Sequence, residues 1–130
     1  MVIDSSALLA IFLGEPERKH FLDLMLQAGK RLVSAGNVLE TGIVLEAKRG
    51  EAAGREFDLF LVRMKVEIVA VDAEQIEIGR LAWRSFGKGR HPAALNFGDC
   101  FAYALSKAAG EPLLAKGRDF ALTDVELCVT

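Results

Sequence analysis

Short apolar runs that alternate with longer amphipathic stretches constrain the fold of this chain more than any other feature. The runs predict strands at residues 2–4, 31–34, 66–71, 112–115 and 126–129, the third of which is rich in Val and Ile. The stretches around them predict helices at about 5–13, 16–29, 36–50, 51–65, 73–86 and 96–109. Strands that alternate with helices form a mainly parallel sheet covered on both faces. We therefore predict a three-layer α/β/α sandwich.

Length and hydropathy limit the classes of protein that fit. The 130 residues suit one compact domain, so we treat 1–130 as a single unit. Hydrophobic residues make up 52%, which is rich for this size and suggests that some apolar surface serves an interface. No apolar run approaches a membrane span, and Met1-Val2-Ile3-Asp4 has neither the basic segment nor the cleavage site of a signal peptide. We expect a cytoplasmic protein that does not bind membranes.

Charge and cysteine usage narrow the chemistry further. The formal net charge of −2 argues against a bulk electrostatic nucleic-acid binder, but it permits a local basic rim around an acidic centre. Cys100 and Cys128 lie in apolar segments, far in spacing from His20 and His91. We therefore expect buried thiols rather than a zinc site.

Four carboxylates draw attention: Asp4, Glu40, Asp99 and Asp119. Asp4 and Asp119 each follow a predicted strand, and ligands of parallel sheets bind beyond the carboxyl ends of the strands. Structural interpretations stay open for these acids. Asp4 is a favoured helix N-cap, Asp119 suits a turn, and Asp99 follows Asn96 by three residues as in a capping box, although Asp is short for that contact.

Glu40 is the more informative acid, because it lies within the helix predicted over 36–50. It shares a helix face with three apolar residues, at i+3, i+4 and i+7: Ile43, Val44 and Ala47. This spacing predicts a carboxylate on a buried face, which is costly unless the carboxylate is paired or holds a metal. A bond to a neighbouring Arg or backbone amide is the structural alternative.

Carboxylates that gather in one place raise one another's pKa unless a cation neutralises them. Oxygen ligands without Cys or His favour Mg²⁺ or Mn²⁺. Such a site lowers the pKa of a bound water and stabilises charge on a phosphate. If the four acids meet in the fold, phosphodiester cleavage is the chemistry that suits them.

Four segments, in order along the chain, resemble the motifs of the PIN-domain family. These segments are Met1–Ala7, Ser34–Glu40, His91–Ala104 and Lys116–Val125. The first is similar to the family's opening strand that ends in Asp followed by Ser, and the second to its second acidic segment. The third closely resembles the third acidic motif of VapC toxins, and the fourth resembles the closing motif with its Thr-Asp pair.

The resemblance implies a PIN-like fold and a Mg²⁺-dependent endoribonuclease, with Mn²⁺ as a substitute metal. It implies Asp4 and Asp99 as metal ligands, with Glu40 completing the catalytic set and Asp119 as its fourth acid. Arg118 stands where the closing motif often carries Asn or Glu, and a cation there can pair with Asp119 and draw it away from the metal. The implied partners are an RNA substrate and a VapB-type antitoxin.

Two other functions stay open. A catalytically inactive PIN-like domain would act as a binding module, and it would be expected to lack one of the four acids. An aspartate-based phosphatase also carries Asp after its first strand, but it usually needs a second acid two residues further on, where this chain has Ser6.

The remaining expectations concern surfaces. Segments 7–13 and 57–62 carry more large apolar residues than one buried helix stripe needs, and a domain of this size cannot cover both. We therefore expect at least a homodimer and, by the resemblance, an apolar groove that receives a helix and an extended tail of the antitoxin. We interpret Trp83 as a core residue rather than a base-stacking platform. His91 is interpreted as a packing residue, with RNA phosphate contact beside Lys88 and Arg90 as the alternative.

Overall fold

The computed structural model, which describes residues 1–128, is built around a four-stranded parallel sheet. Strands β1 to β4 span Val2–Ile3, Arg31–Ser34, Val66–Val69 and Leu113–Leu114, in the spatial order β3-β2-β1-β4. Helices α1 to α6 span Ser5–Phe12, Arg18–Gln27, Ala35–Arg49, Glu51–Arg63, Ala73–Phe86 and Phe97–Ala109, and a 3-10 helix covers Phe120–Leu122. Within residues 1–128, none of these helices is both long enough and apolar enough to cross a bilayer. The predicted α/β class is confirmed.

The two faces of the sheet carry different helices, because successive strand residues point to opposite sides. Ile3 and Val33 pack with apolar residues of α1 to α4 in one cluster. Val2 and Leu32 pack with residues of α5 and α6 in another. The sheet is therefore the middle of three layers, and its parallel strands end along one edge.

Two strands at that edge lead directly into helices. Asp4 follows β1 and caps α1, because its Oδ2 accepts a hydrogen bond from the Ser6 backbone N–H at 3.0 Å. Ser34 ends β2 and caps α3, since its hydroxyl accepts from the Gly36 N–H at 3.3 Å. A strand that turns into a helix without a loop leaves its last side chains little freedom. The polar residues at this edge are therefore held by the backbone itself.

Only the strand predicted over 31–34 has the predicted bounds, and those predicted over 2–4, 66–71 and 112–115 were too long. The clearest run, predicted over 66–71, ends as β3 at Val69, and Asp72 then caps α5. The run 126–129 contributes an isolated bridge between Leu127 and Leu113, and Val129 lies outside the described residues. Because β4 is only two residues long, it offers a short edge for further pairing.

As expected, the domain does not cover both apolar segments, and the one that it covers is α1. Apart from half-buried Ser6, Leu9 and Phe12, α1 is buried, because other helices pack around it. Helix α4 does leave apolar side chains in solvent, and so does α3. The exposed residues are Leu59 and Val62 on α4 and Leu39 and Ile43 on α3.

Candidate active site

Asp4 is the most deeply buried of the four acids. The residue is 3% exposed, and while its Oδ2 caps α1, its buried Oδ1 has no hydrogen-bond partner among residues 1–128. Burial, and to a smaller extent the charges of Asp99 and Glu40, raises the pKa of Asp4 from 3.8 to about 6. The N-cap interpretation therefore accounts for one oxygen and leaves the other available to a ligand.

Asp99 lies in the first turn of α6, where it takes part in the capping of the helix, and its charge acts on Asp4. Its Oδ2 accepts from the Asn96 N–H at 3.0 Å, and its own N–H donates to Asn96 Oδ1 at 2.9 Å, which completes a capping box. Asp was predicted to be short for this contact, and that prediction is wrong, because the extended backbone of Asn96 brings its N–H within reach. Burial raises the pKa of Asp99, and the charges of Asp119 and Glu40 add to the rise. Its Oδ1 stays outside the capping box.

The prediction that Glu40 lies on the buried face of α3, with Ile43, Val44 and Ala47, was wrong. Helix α3 buries Asn37, Thr41 and Leu45, whereas Ile43 is 59% exposed and Glu40 is half-buried at the margin. Two of the three buried positions carry polar side chains, so apolar periodicity selects the wrong side of this helix. Glu40 is thus not a charge sealed in the core, and its side chain can adjust.

The Glu40 carboxylate nevertheless rests against the first turn of α6. A Cβ placed on Gly98 would lie 2.3 Å from Glu40 Oε2, so the absence of a side chain there makes room for this carboxylate. Glycine at position 98 therefore lets the second acid approach the helix that carries Asp99.

Asn37 connects these segments, and sequence reasoning missed it. Its Nδ2 donates to the Gly98 carbonyl at 3.0 Å and lies 3.4 Å from Glu40 Oε1, while the Ser5 hydroxyl donates to the Asn37 carbonyl at 3.3 Å. Asn37 is fully buried, and its Oδ1 has no partner within residues 1–128. A polar residue three positions before a candidate ligand on the same helix was the available signal.

Asp119 lies on the exposed rim, at the start of the 3-10 helix. Its charge contributes to the raised pKa of Asp99, which places it near that acid. Within the described residues Arg118 forms no ion pair with Asp119. The preceding loop is tied to α1 instead, because the Lys116 N–H donates to the Ser6 hydroxyl at 2.9 Å.

We refer to Asp4, Glu40, Asp99 and Asp119 as the acidic cluster. In the described part of the chain, no three Asp, Glu, His or Cys side chains converge closely enough to hold a metal ion as they stand. The donor set still fits a hard divalent cation, because it consists of oxygens, includes the unpartnered Asp4 Oδ1, and carries negative charge that raises the pKa of Asp4 and of Asp99.

Two interpretations outside the cluster have different outcomes. His91 is a packing residue as predicted: its Nδ1 accepts from the Ala93 N–H at 3.0 Å and its ring packs edge-on against Phe86. Trp83 is not a core residue, since it is 44% exposed, and the Arg90 guanidinium lies 4.3 Å from its ring centroid. Cys100 and Cys128 are free thiols and half-buried rather than buried.

Known proteins resemble this chain over nearly its whole length. The family model described as the PIN domain matches residues 1–126. A protein from Mycolicibacterium smegmatis named Ribonuclease VapC is 53% identical over 96% of this chain and 97% of its own length. VapC20 of Mycobacterium tuberculosis, described as a sarcin-ricin loop cleaving toxin, has a similar fold with a TM-score of 0.77 at 19% identity, covering 99% of this chain and 98% of that one. VapBC2 from Rickettsia felis, solved with a promoter DNA fragment, gives a TM-score of 0.76 at 13% identity, covering 98% and 96%.

The raised pKa of Asp4 predicts how stability depends on pH. Because the folded-state pKa of about 6 exceeds the ordinary 3.8, the folded state holds this proton more tightly. The metal-free chain should therefore lose stability through this group as the pH rises from about 4 to about 6. Asp4→Asn keeps an N-cap acceptor and removes this loss, so it should raise the free energy of unfolding near pH 7 by roughly 2–3 kcal/mol.

Urea unfolding in EDTA at about pH 5 and about pH 7 checks this expectation. Asp58→Asn, at an exposed position on α4, is the matched control and should change stability little at either pH. If Asp4→Asn is less stable than wild type at neutral pH, the ionised Asp4 carboxylate stabilises the fold, and the prediction is wrong.

The contact between Gly98 and Glu40 yields a second prediction. Gly98→Ala should displace the Glu40 carboxylate and weaken Mn²⁺ binding, while the free energy of unfolding changes by less than about 1 kcal/mol because the end of a flexible side chain can move aside. Calorimetric titration with Mn²⁺ measures the first effect and urea unfolding the second. Gly42→Ala on α3 meets open space and should leave Mn²⁺ affinity unchanged. If wild type, Gly98→Ala and Gly42→Ala bind Mn²⁺ with equal affinity, Glu40 is not part of the metal site.

Proposed function

The chain belongs to the PIN-domain family, among the VapC ribonucleases, and on that premise we propose that it is a divalent-metal-dependent endoribonuclease that serves as the toxin of a toxin–antitoxin pair. One observation carries the proposal: Asp99 and Glu40 act electrostatically on a buried Asp4 whose Oδ1 has no partner among residues 1–128. The 53% identity to a protein named as a ribonuclease supports it. We propose that residues 1–130 act as one domain.

The proposed mechanism assigns a task to each acid. Asp4 and Asp99 would hold the cation, and Glu40 would complete the site directly or through water. Mg²⁺, with Mn²⁺ as a substitute, supplies Lewis acidity and a bound water of lowered pKa when it is present. Asp119, the exposed acid, orients the attacking water and accepts its proton. The water oxygen then forms a bond to phosphorus as the bond to the ribose oxygen breaks, and the ribose oxygen leaves and takes up a proton from solvent.

The chain's own hydrogen bonds keep the acids in place for this reaction. The N–H groups of Ser6 and Asn96 each hold one carboxylate oxygen, of Asp4 and of Asp99 respectively, and thereby fix the direction of the other. Asn37 fixes the distance between α3 and α6 through the Gly98 carbonyl. Ligands held in this way need little reorganisation when substrate arrives.

We propose three partners: an RNA substrate, a VapB-type antitoxin and a second copy of the chain. The name and composition of the Rickettsia felis relative support the antitoxin. The exposed apolar pairs on α3 and α4, Leu39 with Ile43 and Leu59 with Val62, are surfaces on which protein partners bury apolar area. An antitoxin Arg or Lys that reaches the acidic cluster would compete with the cation and stop cleavage. The cytoplasm is the proposed location, since RNA and Mg²⁺ are present there.

Substitution of the two principal ligands tests the proposal. Asp4→Asn and Asp99→Asn should each lower the rate of RNA cleavage at least about 100-fold, because each removes a ligand charge while the amide preserves side-chain shape. Cleavage of a structured RNA in Mg²⁺, with and without EDTA, measures this effect, and Asp58→Asn serves as the exposed control. Wild-type turnover by either variant at saturating Mg²⁺ would refute the metal assignment. If the wild-type protein binds RNA but cleaves none, the alternative of a catalytically inactive binding module is supported instead.

A further inference from the structure

A groove between α5 and α6 opens beside the acidic cluster. Its volume is about 710 Å³, and its lining includes Trp83 from α5 and Phe97 from α6. The two helices pack closely along its floor, where a Cβ on Gly79 would lie 3.5 Å from the Cys100 carbonyl oxygen. Because Phe97 precedes Asp99 by two residues, one end of the groove adjoins the proposed metal ligands.

Two aromatic side chains in this groove are exposed to solvent. Phe97 is 79% exposed and Trp83 is 44% exposed. Phe97 packs edge-on against Phe101, with 4.8 Å between ring centroids, and Phe101 lies so close to Gly36 that a Cβ there would be 2.7 Å from the ring. The Trp83 indole lies similarly against Gly87. Both exposed rings are thus anchored on one side and open on the other.

The charged residues that line the groove are all cationic, although the chain as a whole has a net charge of −2. They are Arg80, Arg84, Lys88 and Arg90. None of the lining residues, all of which belong to the described part of the chain, is acidic. This charge complements phosphate groups. It disfavours a second copy docked across a two-fold axis, because such an interface brings the same surface of each copy together, and with it the same positive charges.

We propose that this groove binds single-stranded RNA and leads it to the acidic cluster. Trp83 and Phe97 stack bases, and Arg84 and its cationic neighbours bind the backbone phosphates. Anchored rings combined with a cationic track are the usual means of holding a single strand, since every unpaired base offers a flat face. A base on Phe97 brings its neighbouring phosphate close to Asp99. The inference rests on the proposed ribonuclease function and adds to it the strandedness of the substrate and the residues that recognise it.

Fluorescence anisotropy of a labelled oligouridylate with the full chain tests this groove. The titration is done in EDTA at several salt concentrations, so that no cleavage occurs. Trp83→Ala and Phe97→Ala should each weaken binding about tenfold without changing its salt dependence. Arg84→Gln should instead lower the slope of log K against log salt by about 0.7, the value for one phosphate contact on a single strand. Leu81→Ala, at an exposed apolar position of α5 outside the groove, is the matched control and should bind like wild type.

Several outcomes would overturn the groove proposal. Wild-type affinity in both aromatic variants, once circular dichroism shows that they are folded, would remove the stacking role. An RNA duplex that binds as tightly as the oligouridylate, with the same dependence on Trp83, would remove the preference for single strands. If Trp83→Ala sediments as a smaller species than wild type and its RNA affinity is unchanged, the groove is an interface between copies instead.

This titration in EDTA, together with the cleavage assay in Mg²⁺, keeps the two proposals apart. If oligouridylate binding depends on Trp83 and Arg84 but the protein cleaves no RNA in Mg²⁺, the ribonuclease proposal is refuted and the groove proposal is supported. Cleavage by wild type and Trp83→Ala with equal KM would support the ribonuclease and refute the groove.

Discussion

A carboxylate buried at the carboxyl end of β1 is the constraint on which the rest of the site depends. Asp4 caps α1 there, and the cap uses one oxygen and leaves the other without a partner in the described residues. The charges of Asp99 and Glu40 add to the free-energy cost that burial imposes. A divalent cation offsets that cost directly, because it supplies a partner for the free oxygen and neutralises the shared charge. The site is thus destabilised when empty and stabilised by the ligand it is proposed to bind.

The helices around Asp4 also fix the positions of the other acids. Asn37 holds α3 to the Gly98 carbonyl of α6, so the acids on these two helices keep a common spacing. Helix α6 then separates two kinds of surface. Its first turn carries Asp99 toward the negative cluster, while Phe97 faces the cationic groove shared with α5. In the proposed function, a polyanion is attracted by the cationic groove and delivered to a cation held by the acidic cluster.

Sequence reasoning anticipated the α/β fold and the segments that bear the four acids, because strand–helix alternation and short motifs are local signals. It failed where the outcome depended on packing between elements. The face of Glu40 was wrong because α3 buries the polar Asn37 and Thr41, which apolar periodicity does not count. Trp83 was assigned to the core because sequence does not distinguish an aromatic residue in a core from one that borders a groove. Sequence also did not show which of the two apolar segments, 7–13 or 57–62, the domain would cover, because that depends on the helices that pack around each.

A crystal structure of the protein grown with Mn²⁺, with data collected at a wavelength where manganese scatters anomalously, would show whether a cation binds the buried Asp4. An anomalous peak is expected at bonding distance, about 2.2 Å, from Asp4 Oδ1 and from Asp99. Asp4 Oδ2 should keep its hydrogen bond to the Ser6 N–H, so that one oxygen caps the helix and the other binds the ion. Mn²⁺ found only on exposed carboxylates, with Asp4 Oδ1 still unpartnered, would contradict the claim that a cation compensates for this buried charge.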